Sequence, residues 1–209
     1  MIEAPELQIV EGDITPVFEN AARDSGVIAW DIETSGLDWS RDRIGTCQIH
    51  VPGLGTQIIQ VTDSIPERLR ELLSSEATVK VFHHAPFDLR FMSHHWGVSP
   101  QAVGCTKILS KIVSPGKEPK EYSLKPTLQR YLHVDLDKSQ QTSDWLASSL
   151  NKEQINYAAQ DVEYLVPLFA RLMGIARSRG LADMAERTFA YLPTRIETDL
   201  RGCGDVFAY

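Results

Sequence analysis

The chain has 209 residues, 43% of them hydrophobic, which is enough for a sizeable core in one large domain or one domain with a helical appendage. Its 21 basic and 28 acidic residues give a net charge of −7, which argues against a long basic track for a polynucleotide backbone. No run of about 18 apolar residues occurs, so no membrane span is expected, and the acidic start Met1-Ile2-Glu3-Ala4-Pro5-Glu6 lacks the pattern of a secretory signal. Cys47, Cys105 and Cys203 are too few and too far apart for a disulfide framework or a zinc pattern, and they suit a reducing cytoplasm.

In chain order, Leu7-Gln8-Ile9-Val10 is a short apolar stretch, Gly12-Asp13 a turn, and Asp13 to Asn20 opens a short helix. Val27 to Glu33 reads as a strand, and Thr34-Ser35-Gly36-Leu37-Asp38 as a tight loop. Thr46 to Val51 and Thr56 to Val61 alternate as two further strands around Pro52-Gly53-Leu54-Gly55, predicting an antiparallel meander. Pro66 to Ser74 predicts an amphipathic helix, Val79 to Phe82 a short buried strand, and Phe87 to Trp96 a helix stopped by Gly97. Ala102 to Ile112 predicts a helix, Ser114 to Pro119 a loop, and Leu124 to Leu132 another helix. A long helix is predicted from Asn151 to about Arg179, kinked or divided at Pro167. Leu181 to Leu192 is a further helix, followed by a mixed tail. The fold class is therefore α/β, with a mixed sheet drawn from the first 85 residues and flanked by helices.

Three places carry acids where apolar residues dominate. Asp31 and Glu33 stand at i and i+2 of the first long strand, so both point to one face. Two neighbouring carboxylates in a desolvated setting repel each other, and a divalent metal offsets that cost. Asp88 follows the strand at 79–82 among apolar residues, where an acid also suits a helix start. Tyr157 and Asp161 lie one turn apart on a helix, an arrangement that taken alone is more often an ordinary surface pair.

Together, Asp31-x-Glu33, Asp88 and Tyr157-x-x-x-Asp161 resemble the DEDD superfamily of 3′–5′ exonucleases, and Tyr157 marks its tyrosine subclass. Cys105-Thr106-Lys107-Ile108, the stretch from Lys138 to Trp145, and Gln154 to Val162 resemble the ribonuclease D group. The short length and the stretch Phe189-Ala190-Tyr191-Leu192-Pro193 resemble the nano-RNase C family. His83-His84-Ala85-Pro86 departs from the expected pattern at its third and fourth positions, so no role is carried over to Pro86.

The resemblance implies a ribonuclease H-like fold, with residues 1–209 forming one exonuclease domain. The helix and tail from about residue 180 would pack on that domain or on a neighbouring subunit. It also implies a homo-oligomer, an octameric ring. Two hard ions, Mg²⁺ or Mn²⁺, need oxygen ligands, which Asp31, Glu33, Asp88 and Asp161 supply. Asp31 is the expected bridge between them, with Glu33 near the attacking water. Tyr157, with an unperturbed pKa near 10, suits orienting that water better than acting as a free base.

Leu37 is the candidate wedge under the terminal base, beside Thr34. His83 and His84 are candidates for ribose or phosphate contacts, or for structural packing. Trp145 either stacks on a base or sits in the core. Lys107 and Lys138 head a set of lysines (with Lys111, Lys117, Lys120 and Lys125) that are candidates to cap a 5′-phosphate, against the alternative of solvated surface groups. The expected activity is exonucleolytic hydrolysis of short RNA, chiefly dinucleotides, to nucleoside 5′-monophosphates. The alternatives are trimming of longer RNA 3′ ends, action on DNA ends, or a non-catalytic nucleic-acid-binding module.

Overall fold

The structure, a computed structural model, describes residues 6–136 and 143–208. Lys138 and the neighbouring positions 137–142 lie outside the described residues, and so does the candidate role given to Lys138.

A six-stranded mixed sheet forms the centre, in the order β1-β4-β3-β2-β5-β6. Its strands are β1 (Glu6–Glu11), β2 (Val27–Thr34), β3 (Ile44–Val51), β4 (Gly55–Gln60), β5 (Val79–Phe82) and β6 (Val103–Cys105). The expected meander is present: β2 pairs antiparallel with β3, and β3 with β4. β1 adds to β4 in parallel, and β5 and β6 extend the other side in parallel from β2. Because β2 lies inside the sheet with helices packed on it, its apolar residues Ile28, Ala29, Trp30 and Ile32 are buried on both faces. The acids at 31 and 33 thus interrupt a strand that is otherwise core.

The helices are α1 (Pro16–Ser25), α2 (Glu67–Ser74), α3 (Ala85–Trp96), α4 (Thr106–Val113), α5 (Leu124–Leu132), α6 (Lys152–Glu163), α7 (Leu165–Ser178), α8 (Ala182–Ala190) and α9 (Leu192–Leu200). Three expectations need correction. Residues 103–105 are not helical, because β5 recruits them as an edge strand, pairing Lys80 with Val103 and Phe82 with Cys105. The tail after Pro193 is helical, with Leu192 and Ile196 buried in the main core.

The third concerns the long helix, which divides at Tyr164 rather than at Pro167. Proline lacks the N–H that would bond the carbonyl four residues back, and its ring crowds that carbonyl. For Pro167 that carbonyl belongs to Glu163, the last residue of α6. Pro167 itself falls in the first turn of α7, where a missing N–H costs nothing.

One apolar cluster runs through the molecule from Ile14 to Ile196. A smaller one, Ile58, Trp145, Tyr157 and Ala158, joins β4 to α6. The backbone beside Trp145 lies against Gly45 of β3, and the Ala147 carbonyl accepts from Gln60 Nε2 of β4 at 3.3 Å. A Cβ at position 45 would come within 2.2 Å of the Trp145 carbonyl, so Gly45 permits the approach. No helix among the described residues is long and apolar enough to cross a membrane. Cys47 and Cys105 are buried free thiols, and Cys203 is an exposed one.

Candidate active site

The strand that began as an electrostatic puzzle forms the floor of a cleft of about 620 Å³. Asp31 and Glu33 come from β2, Asp88 from the first turn of α3, and Tyr157 and Asp161 from α6; all five line it. Register explains the strand contribution. Asp31 pairs with Gln48 and Glu33 with Thr46, and a bulge then falls between Glu33 and Thr34, where the chain leaves the sheet to form the rim. One oxygen each from Asp31, Glu33 and Asp161 lies within 4.8 Å of the others.

Asp88 lines the same cleft but stands outside that triple. It is 2% exposed, and its Oδ1 accepts from the Ile32 backbone N–H at 3.3 Å. This bond ties the start of α3 to β2, so the carboxylate also links two elements of the site. Burial pushes the Asp88 carboxyl well above its usual range.

Tyr157 is 5% exposed. Burial raises its phenol pKa first, and the charges of Asp161, Glu33 and Asp31 raise it further, as does its hydrogen bond to the Asp161 carboxylate. The phenol therefore keeps its proton and acts as a donor. A set of hard carboxylate oxygens this close, beside a buried fourth acid and a protonated phenol, fits a divalent cation of the Mg²⁺ type.

The remaining candidates separate. Leu37 stands at the rim, 84% exposed, with Thr34 beside it in the cleft wall. His83 and His84 both line the cleft but differ in role. The Tyr122 carbonyl accepts from His83 Nε2 at 3.0 Å, and His83 Nδ1 lies 2.8 Å from Thr106 Oγ1, so this ring braces β5 against α4. His84 takes up a left-handed conformation, φ 84°, at the start of α3. Partial enclosure, aided by Lys107, Arg90 and Lys111, lowers its pKa to about 4, so it is neutral at physiological pH.

Lys107 lines the cleft. Lys111, Lys117 and Lys125 do not line it: Lys111 lies over the Tyr122 ring, Lys117 pairs with Glu121 and Lys125 with Asp135. Trp145 takes the core position. It is 2% exposed, does not line the cleft, and packs its ring 5.9 Å from that of Tyr157. Phe87, Ser123, Leu124 and Ser143 line the cleft without having been singled out in the sequence. Phe87 adjoins Asp88, and that adjacency was a usable signal; the other three reach the cleft through tertiary packing alone.

A protein with this sheet, these carboxylates and this phenol is built as a metal-dependent nuclease, and comparison with known proteins gives the same class. The 3′–5′ exonuclease family matches residues 13–177, and the chain belongs to that family. It is an enzyme of that family, with an acidic cluster fitted to divalent metal.

Among solved structures, Brucella melitensis NrnC is 35% identical, with a TM-score of 0.89, and the match covers 97% of this chain and 98% of that one. The Brucella protein has also been solved bound to pGG and with bound Mg²⁺. Escherichia coli RNase D is 26% identical with a TM-score of 0.77, over 92% of this chain and 50% of that one. Ribonuclease D of Musicola paradisiaca is 34% identical over 115 residues, which are 55% of this chain and 30% of that protein. The chain thus matches less than a third of the length of that curated relative.

Proposed function

We propose that the chain is a 3′–5′ exoribonuclease that hydrolyses very short RNA, chiefly dinucleotides, to nucleoside 5′-monophosphates. The observation that carries this reading is one cleft that gathers groups for both ends of a short substrate. Carboxylates form its floor, an exposed leucine stands at one rim, and Lys107 and Ser123 line its wall. A volume of about 620 Å³ is on the scale of a small-ligand site. The net charge of −7 points the same way, and the pGG carried by Brucella NrnC supports it.

Asp31, Glu33, Asp88 and Asp161 would hold two divalent ions, Mg²⁺ or Mn²⁺, which when bound would supply water activation and stabilisation of the leaving oxygen. Tyr157, kept protonated, orients the attacking water, its single O–H turning from the Asp161 carboxylate to that water once the carboxylate is engaged by metal. Leu37 packs against the terminal base and sets where the chain ends. Neutral His84 offers a hydrogen bond to sugar or phosphate without adding charge, and Lys107 supplies the cation for a 5′-phosphate. His83 and Trp145 serve by bracing these groups rather than by touching substrate. Residues 1–209 act as one exonuclease domain, within a cytoplasmic homo-oligomer that the resemblance makes an octamer.

Hydrolysis of 5′-labelled RNAs of two to about ten residues tests the reading, because a short site loses no binding energy when the substrate shrinks to fit it. Dinucleotides should be cleaved fastest. If longer RNAs or DNA ends were degraded as fast, trimming of longer chains would replace it.

A further inference from the structure

Leu37 poses a physical difficulty. A leucine that is 84% exposed at a loop tip has little packing to fix its direction, yet a wedge must be held before the base arrives. The loop supplies the missing order from within, and one side chain lies at its centre.

The Asp42 carboxylate reaches back across the loop. Its Oδ2 accepts from the Asp38 backbone N–H at 2.8 Å, and its Oδ1 accepts from the Ser35 hydroxyl at 3.4 Å. The Asp42 backbone N–H donates to the Asp38 carbonyl at 2.7 Å, and the Arg43 N–H donates to the Ser35 hydroxyl at 3.0 Å. Gly36, immediately before Leu37, sits over this carboxylate, and a Cβ there would come within 2.4–2.7 Å of its carbon and both oxygens. The absence of that Cβ lets the carboxylate lie under the leucine's own backbone.

The staple is also anchored outside the loop. His95 Nε2 on α3 donates to the Asp42 carbonyl at 2.9 Å, and the Trp39 ring meets the His94 ring edge-on at 5.1 Å. The helix that carries Asp88 into the floor therefore also fixes the height of the rim.

We propose that Asp42 is a specificity-determining positioning residue, which holds the 34–43 loop closed on itself so that Leu37 is set at the cleft mouth before substrate binds. The inference rests on the reading of Leu37 as the terminal-base wedge. A carboxylate is needed because both of its oxygens accept at once, from a backbone N–H and from a hydroxyl. Without it the leucine samples many directions, and ordering it falls to the binding step.

The test is steady-state hydrolysis of pGG by Leu37→Ala, Asp42→Ala and the double variant, with melting temperature as a check on folding. Asp42→Ala should raise KM by a factor close to that of Leu37→Ala and leave kcat within about twofold, since ground-state binding is lost and the floor is untouched. The double variant should be no worse than the weaker binder of the two, because both act through one contact. Gly36→Ala, which displaces the carboxylate without removing it, should reproduce the KM effect and keeps the test open should Asp42→Ala fold poorly. An unchanged KM in Leu37→Ala overturns the wedge reading, and the staple's role with it. A raised KM in Leu37→Ala beside unchanged values in Asp42→Ala and Gly36→Ala, or effects that multiply in the double variant, overturns the staple alone.

Discussion

The floor and the rim of the cleft are built by opposite means. The floor is tertiary: Asp88 and Asp161 are 2% and 8% exposed, and their positions depend on sheet register, helix packing and the Trp145–Tyr157 contact. The rim is local. Leu37 is solvent-exposed and held by hydrogen bonds among residues 34–43, with two histidines of α3 as outside anchors. Buried acids can be placed finely only by a rigid frame, whereas a residue that meets a variable base needs a surface position and local order. Damage to the floor should therefore appear in kcat, and damage to the rim in KM.

The largest effect tests the floor. Asp31→Asn or Asp161→Asn should lower kcat by about 1000-fold or more, by removing a charged oxygen ligand while conserving shape. Turnover near that of the parent protein, with far-ultraviolet circular dichroism unchanged, would remove either residue from the chemistry. Tyr157→Phe keeps the ring packed on Trp145 and deletes only the hydroxyl. A loss of about 100-fold in kcat is expected, with divalent-ion binding measured by calorimetry retained, because general acid–base and orienting groups contribute on that scale. Equal loss of metal binding would make Tyr157 part of the frame rather than of the reaction.

On the rim, Leu37→Ala should raise KM for a dinucleotide about tenfold, the scale of one buried leucine's contact surface. His84→Gly sharpens the contrast, because it separates strain from contact. Glycine accepts φ 84° without penalty, so the variant should gain about 1 kcal/mol of stability in urea unfolding. Its KM should rise as the imidazole is lost. A variant both more stable and unimpaired would leave the strained histidine without a role in binding.

The smallest effect on activity is expected at Lys80, a fully buried residue of β5 that donates to the Ser75 carbonyl and does not line the cleft. Burial, with Arg23 nearby, lowers its pKa to about 8 from 10.5. Between those values the unfolded chain binds the proton that the fold releases, so stability rises with pH from about 8 to 10.5, by about 3 kcal/mol at most. Lys80→Met should flatten that rise in denaturation curves and leave kcat and KM unchanged.

Some of this is readable in the chain itself. The i, i+2 spacing of Asp31 and Glu33 and the i, i+4 spacing of Tyr157 and Asp161 set each pair on one face of its element, because strand and helix periods are local properties of the backbone. The meander followed from alternation and from turn residues at 52–55, and the division of the long helix was foreseen because proline acts on its own neighbours. Its position at Tyr164 required counting back to the carbonyl that Pro167 deprives of a partner.

What only the tertiary structure decided are the relations between distant segments. Residues 103–105 became a strand because β5 offered a free edge. His83 and His84 look alike in sequence, yet one spends its ring on Thr106 and Tyr122 and the other faces the cleft. Trp145 went under Tyr157 because Gly45 let its backbone settle on the sheet. Periodicity places a residue on a face, whereas packing and hydrogen-bond partners from elsewhere in the chain decide what that face meets.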